Sequence, residues 1–91
     1  MKHEFDKPFN FEGQEYSEVD LDLESLSGED MRAVKQLWIG EGNFAAIPAA
    51  DPEFCVYTAA RASKKPIEFF RALPAREYMK IAQKVSNFLL G

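Results

Sequence analysis

From Glu18 to Glu24 apolar and acidic residues alternate without a break, with Val19, Leu21 and Leu23 on one side and Glu18, Asp20, Asp22 and Glu24 on the other. A period of two predicts a strand with one buried face. Upstream, Phe9 and Phe11 lead into Glu12-Gly13, where glycine supplies the positive φ of a tight turn, so the first segment reads as a β-hairpin. Tyr16 has the wrong parity to share a face with Val19 and Leu21. That predicts either a bulge near Ser17 or a Tyr16 ring capping the sheet edge.

After Ser27 the period lengthens to that of a helix. Ser27 can cap free amides while Asp30 supplies an acid three residues on, and Met31, Val34, Leu37 and Trp38 form an apolar stripe that stops at Gly40. Gly40 to Ala50 holds two glycines and a proline and reads as a loop. Asp51-Pro52-Glu53 restarts a helix, with Asp as cap, Pro where a missing amide costs nothing, and Glu against the positive dipole end. This second helix, about Pro52 to Ala62, carries the small residues Cys55, Val56, Ala59, Ala60 and Ala62, which admit a close neighbour. Pro66 opens a short third helix bearing Ile67, Phe69, Phe70 and Leu73, and Pro74 ends it and opens a fourth. There Tyr78, Ile81, Ala82, Val85, Phe88 and Leu89 make the longest amphipathic stripe, so the fourth helix is expected at the centre of the body. The fold class is α+β, mainly α: an N-terminal β-hairpin and about four helices in a single domain over residues 1–91, with 1–24 an acidic hairpin arm and 25–91 a helical body.

Size and charge narrow the function classes. At 91 residues the chain builds one small core and has little room for a large enzyme cleft. Residues 1–30 hold ten acids against Lys2 and Lys7, whereas residues 31–91 are mildly basic, and the whole chain carries −4. An acidic total weighs against nucleic acid as the main partner, since non-specific affinity comes from neutralised phosphates. The run Phe44 to Ala50 is broken by Pro48 and falls far short of the ~20 residues a membrane span needs. No apolar stretch follows Met1-Lys2-His3, so a cytoplasmic address is expected. Cys55 is the only cysteine, which excludes an intramolecular disulfide.

Each catalytic template fails. His3 is the only histidine and falls in a segment expected to fray, which argues against a catalytic triad or a histidine metal site. Cys55 sits among alanines in a helix and is expected to be a buried, inert thiol. The run from Asp20 resembles the first half of a calcium loop, but its sixth position is Ser25 and its twelfth Met31, where glycine and glutamate are required. Gly40-Glu41-Gly42-Asn43-Phe44-Ala45 matches the letters of a dinucleotide loop yet follows a helix instead of a strand. No catalytic residue, metal or cofactor is therefore expected. What core-building leaves over is Trp38, Ile39, Phe44 and Ile47, apolar groups in or beside the loop. They read either as a lid over the core or as a partner-binding patch, with the acidic hairpin face of Glu18, Asp20 and Asp22 as a second candidate surface.

Taken together, Phe11-Glu12-Gly13-Gln14-Glu15-Tyr16 with Val19-x-Leu21, Ser27-Gly28-Glu29-Asp30-Met31, Ala59-Ala60 through Lys65-Pro66-Ile67-Glu68 to Leu73-Pro74-Ala75-Arg76-Glu77-Tyr78, and the closing Val85-Ser86-Asn87-Phe88-Leu89 resemble the tail assembly chaperones of Mu-like contractile-tailed phages. The resemblance covers nearly the whole chain; the departures are the glycine-rich insert at Gly40 to Ala50 and Arg76-Glu77, where an Arg-Asp or similar pair is commoner. It implies a non-enzymatic protein that coats the helical tape-measure protein and yields it to tail tube subunits. It also implies a place in the bacterial cytoplasm, absence from the mature virion, and in some members a longer frameshifted product of the same gene. The competing reading is a small nucleic-acid-binding regulator using Arg61, Lys64, Lys65, Arg71 and Arg76.

Overall fold

Glu12 and Gly13 both take positive φ, 51° and 80°, the geometry of a tight two-residue turn whose twist matches the strands it joins. In the computed structural model, which describes residues 1–91, this turn links β1 (Lys2–Phe11) to β2 (Gln14–Asp20) in an antiparallel pair. The register runs Phe9↔Tyr16 and resumes at Glu4↔Glu18, so Phe5 to Pro8 on β1 stand opposite Ser17 alone. The irregularity falls where the parity of Tyr16 requires one, but the extra residues belong to the facing strand. Pro8 cannot donate a ladder bond and is accommodated by that bulge. Val19, Leu21 and Leu23 are buried as the alternation predicts, but the strand expected to run on to Glu24 ends at Asp20, and Leu23 enters the core from a 3-10 turn, Leu23–Ser25.

The hairpin is fastened to the helices by rings. Phe69 receives Phe9 and Phe11 at 5.3 Å and Tyr16 at 5.0 Å, all nearly edge-on, which suits the ring quadrupoles. Lys65 covers the Tyr16 ring at 4.6 Å.

Ser27 and Asp30 form the full reciprocal capping box at the start of α1 (Gly28–Gly40). The Ser27 amide, and after it the Arg61 guanidinium, hold the Asp30 carboxyl below its usual pKa. Asp51 caps α2 (Pro52–Ser63) by accepting from the Phe54 amide, and Lys64 ends that helix in the left-handed region at φ 60°. The short α3 (Ile67–Arg71) carries Phe69 and Phe70 into the core, and α4 (Ala75–Leu90) closes the chain. No helix is long and apolar enough to cross a membrane.

Two expectations are corrected here. The central helix is α2, buried continuously from Phe54 to Ala60 and packed against α1, α3, α4 and β2, while α4 buries a single face. A strongly amphipathic stripe implies a solvent face and so a peripheral position, whereas a helix of small apolar residues on all sides is the one that neighbours can surround. His3 does not fray: it pairs across from Val19 and is buried. Its Nδ1 accepts from Lys84 Nζ at 2.8 Å, which leaves the proton on Nε2 to be donated to Glu77 Oε1 at 2.8 Å. Glu77 Oε2 accepts the Asp6 amide at 2.7 Å. Burial raises the Glu77 pKa, but the Asp6 amide and His3 outweigh it, and the net displacement is downward. Three hydrogen bonds thus latch β1 onto α4. The sequence signal was the spacing His3-x-Phe5, which repeats the inward alternation of Phe9-x-Phe11 across the bulge.

Candidate functional site

The apolar residues that the sequence groups together are separated by the fold. Trp38 is only 2% exposed, packs edge-on against Phe54 at 5.3 Å, and donates from Nε1 to Asp51 Oδ2 at 3.2 Å. It belongs to a small core with Val34, Phe54 and Tyr57 and is corrected from surface anchor to core residue. An indole at the seventh position after Met31 lies on the inner face of α1, which is why it turns inward. Leu37 turns outward instead of completing the stripe. Leu37, Ile39, Phe44 and Ile47 are exposed by 59%, 51%, 91% and 60%, four large apolar side chains within eleven residues. Ala45, by contrast, packs against the Trp38 cluster. The loop therefore seals the core with its small residues and presents its large ones to solvent. Asn43 holds it in place by donating from Nδ2 to the Trp38 carbonyl at 2.9 Å, and Glu41 anchors its start by pairing with Arg71 at 3.0 Å.

Immediately after Ile47, Pro48 and Ala49 enter a 3-10 turn, Pro48–Ala50, that forms one wall of a shallow groove of about 510 Å³. Gly28, Met31, Arg32 and Lys35 of α1 form the opposite side, and Phe54 and Leu89 complete the lining. Sequence reasoning missed this groove because its residues come from four elements. The local signal was Met31 followed by Arg32 and Lys35, an apolar position with two bases one and four residues further along the same helix.

On the hairpin, Glu18 pairs with Lys2 at 3.3 Å and Asp20 lies 3.6 Å from the Met1 amine, so two of the three acids proposed as a binding face already have cationic partners. Asp22 is exposed at the head of the 3-10 turn Leu23–Ser25. Of the five basic residues that would favour nucleic acid, Arg61 and Arg71 are similarly engaged and Lys65 lies over the Tyr16 ring, while Lys64 and Arg76 form no ion pair. Arg61 pairs with Asp30 at 2.9 Å, and Arg71 bridges Glu41 and Glu53, whose second oxygen accepts the Tyr78 hydroxyl.

Cys55 is fully buried, donates to the Ala49 carbonyl at 3.2 Å, and has its thiol pushed up to about 11 by burial. Few thiolates exist there at neutral pH. Ellman's reagent should accordingly leave the native protein unmodified at about pH 8 and titrate one thiol in denaturant. Rapid labelling of the folded protein would contradict this burial.

The family model described as phage tail assembly chaperone proteins, E, or 41 or 14, matches residues 2–90. No curated protein and no solved structure matches the chain.

Proposed function

The chain belongs to the family of phage tail assembly chaperones, and from that premise we propose that it shields apolar helical segments of the tape-measure protein and releases them to tail tube subunits in the cytoplasm of the bacterial host. The observation that carries this reading is the set of exposed apolar side chains Ile39, Phe44 and Ile47 in and beside the loop that leads into the Pro48–Ala50 wall of the α1 groove, with Leu37 exposed on the other side of α1. Large apolar side chains left in water by a small acidic domain are suited to exchange one apolar partner for another. The reading is non-catalytic: His3 has both ring nitrogens occupied and the Cys55 thiol is raised.

Co-expression with the tape-measure protein of the same phage tests it. The wild-type chain should keep that protein soluble and co-purify with it. The double variant Phe44→Asp/Ile47→Asp should lose at least tenfold in affinity while changing stability by less than about 1 kcal/mol, because neither side chain leaves the core. A tape-measure protein equally soluble with and without the chain would refute the proposal.

A further inference from the structure

We infer that the groove between α1, the Pro48–Ala50 turn and the end of α4 receives an amphipathic helix whose apolar stripe is edged with acidic residues. The inference rests on the helical-client reading above and assigns that client's chemistry. Met31, Phe54 and Leu89 give the groove an apolar floor, and Arg32 and Lys35 stand on its α1 side. No acidic residue lines it, although the chain has 15 acids against 11 lysines and arginines. Lys35 forms no ion pair, and Arg32 has only Glu29 at 4.0 Å, with both side chains largely in solvent. Both charges are free to meet a partner at the groove. The groove on the other side of α1, lined by Leu37, Glu41, Tyr57, Arg61 and Ile67, differs in this respect, because Arg61 is held by Asp30 and Glu41 by Arg71. The hollow at the β1 bulge, where Lys7 and Arg76 are also unpaired, differs in containing two acids, Asp6, paired with Lys80, and Glu77, whose two oxygens are both occupied.

Length fits the same occupant. Gly28 to Lys35 covers about 10 Å of helix axis, enough to receive roughly two turns of a partner. Ile47 precedes Pro48 directly in the chain, so one exposed apolar residue adjoins the wall that Pro48 and Ala49 form. A base-edged helix would meet Arg32 and Lys35 as like charges, whereas an acid-edged one would gain short-range pairs that also guide its approach.

The test uses two synthetic helices with one identical apolar stripe, edged by glutamates in one and lysines in the other, titrated by fluorescence anisotropy against the full chain. The glutamate-edged peptide should bind at least tenfold more tightly at low salt, and the difference should shrink at about 0.5 M salt. Arg32→Glu/Lys35→Glu should reverse the preference. Gly28→Trp, at a position where an added side chain meets nothing within 4 Å, should fill the groove mouth and weaken the glutamate-edged peptide at least tenfold without loss of helix content. Equal binding of the two peptides, or binding untouched by Gly28→Trp, would overturn the inference and leave the tape-measure reading standing if co-purification persists. Failure of both peptides together with failure of co-purification would overturn both.

Discussion

Trp38→Ala is expected to cost about 3–5 kcal/mol of folding stability, a large share of the roughly 5–15 kcal/mol that holds a domain of this size. The indole contributes packing and polarity at the same junction. Its rings fill the space between α1 and α2 against Phe54, and its N–H shares Asp51 Oδ2 with the Phe54 amide, the bond that caps α2. Truncation opens a cavity that the surrounding helices fill only partly, and it removes a donor from a carboxylate at the start of the central helix. Trp38→Phe separates the two effects: most of the volume returns, the hydrogen bond does not, and the expected loss falls to about 1–2 kcal/mol. Urea denaturation followed by circular dichroism measures both. The native emission of Trp38 should already be blue-shifted and resist acrylamide before any partner is added. An emission typical of water, or a Trp38→Ala protein as stable as wild type, would return Trp38 to the surface.

This residue also shows where sequence stops being informative. The hairpin turn, the acid-alternating strand, the caps at Ser27 and Asp51 and the starts at Pro52 and Ala75 are local features, decided by residues within four positions of one another, and they are legible before any fold is known. Trp38 falls seven residues after Met31 and so on the inner face, while Leu37 falls six after it and off that face, a distinction that becomes plain only once the rotation of α1 against α2 is known. The latch of His3 is a pairing across 74 residues: the His3-x-Phe5 spacing turns the imidazole inward, but nothing local names Glu77 as its partner. The same holds for the site. Exposed Ile39, Phe44 and Ile47 are readable as apolar residues in a glycine-rich loop, whereas a groove built from Met31, Phe54 and Leu89 exists only after three helices have packed. Even the prominence of α4 misled for a physical reason, since the pattern that makes a helix easy to see is the one that leaves half of it in water.

Glu77→Ala is expected to cost a comparable 3–5 kcal/mol, about what is lost when a buried charged group is deleted and its partners remain. The Asp6 amide and the His3 Nε2–H would both lose their acceptor inside the protein, and Lys84, held against the same ring, would lose the negative charge it faces through it. Because these groups join β1 to α4, the damage should begin in the hairpin, with faster amide exchange in β1 before the helices loosen. Acid provides a test that cavity formation alone would not pass. The Glu77 carboxyl titrates below its ordinary 4.5 in the folded protein. Its stabilising contribution is complete above that value and disappears as pH falls through the lower folded pKa. Glu77→Gln keeps the shape, offers one oxygen for two donors, and cannot be protonated, so it should be less stable than wild type at neutral pH yet lose less on acidification. The two stability curves should therefore converge as pH falls below the ordinary carboxylate value of 4.5 and through the lower folded pKa. Asp30, also displaced downward, contributes the same acid sensitivity to both proteins and cancels in the comparison. Parallel curves would mean that the carboxylate is not what fastens the hairpin, and the ring cluster around Phe69 would then have to hold it alone.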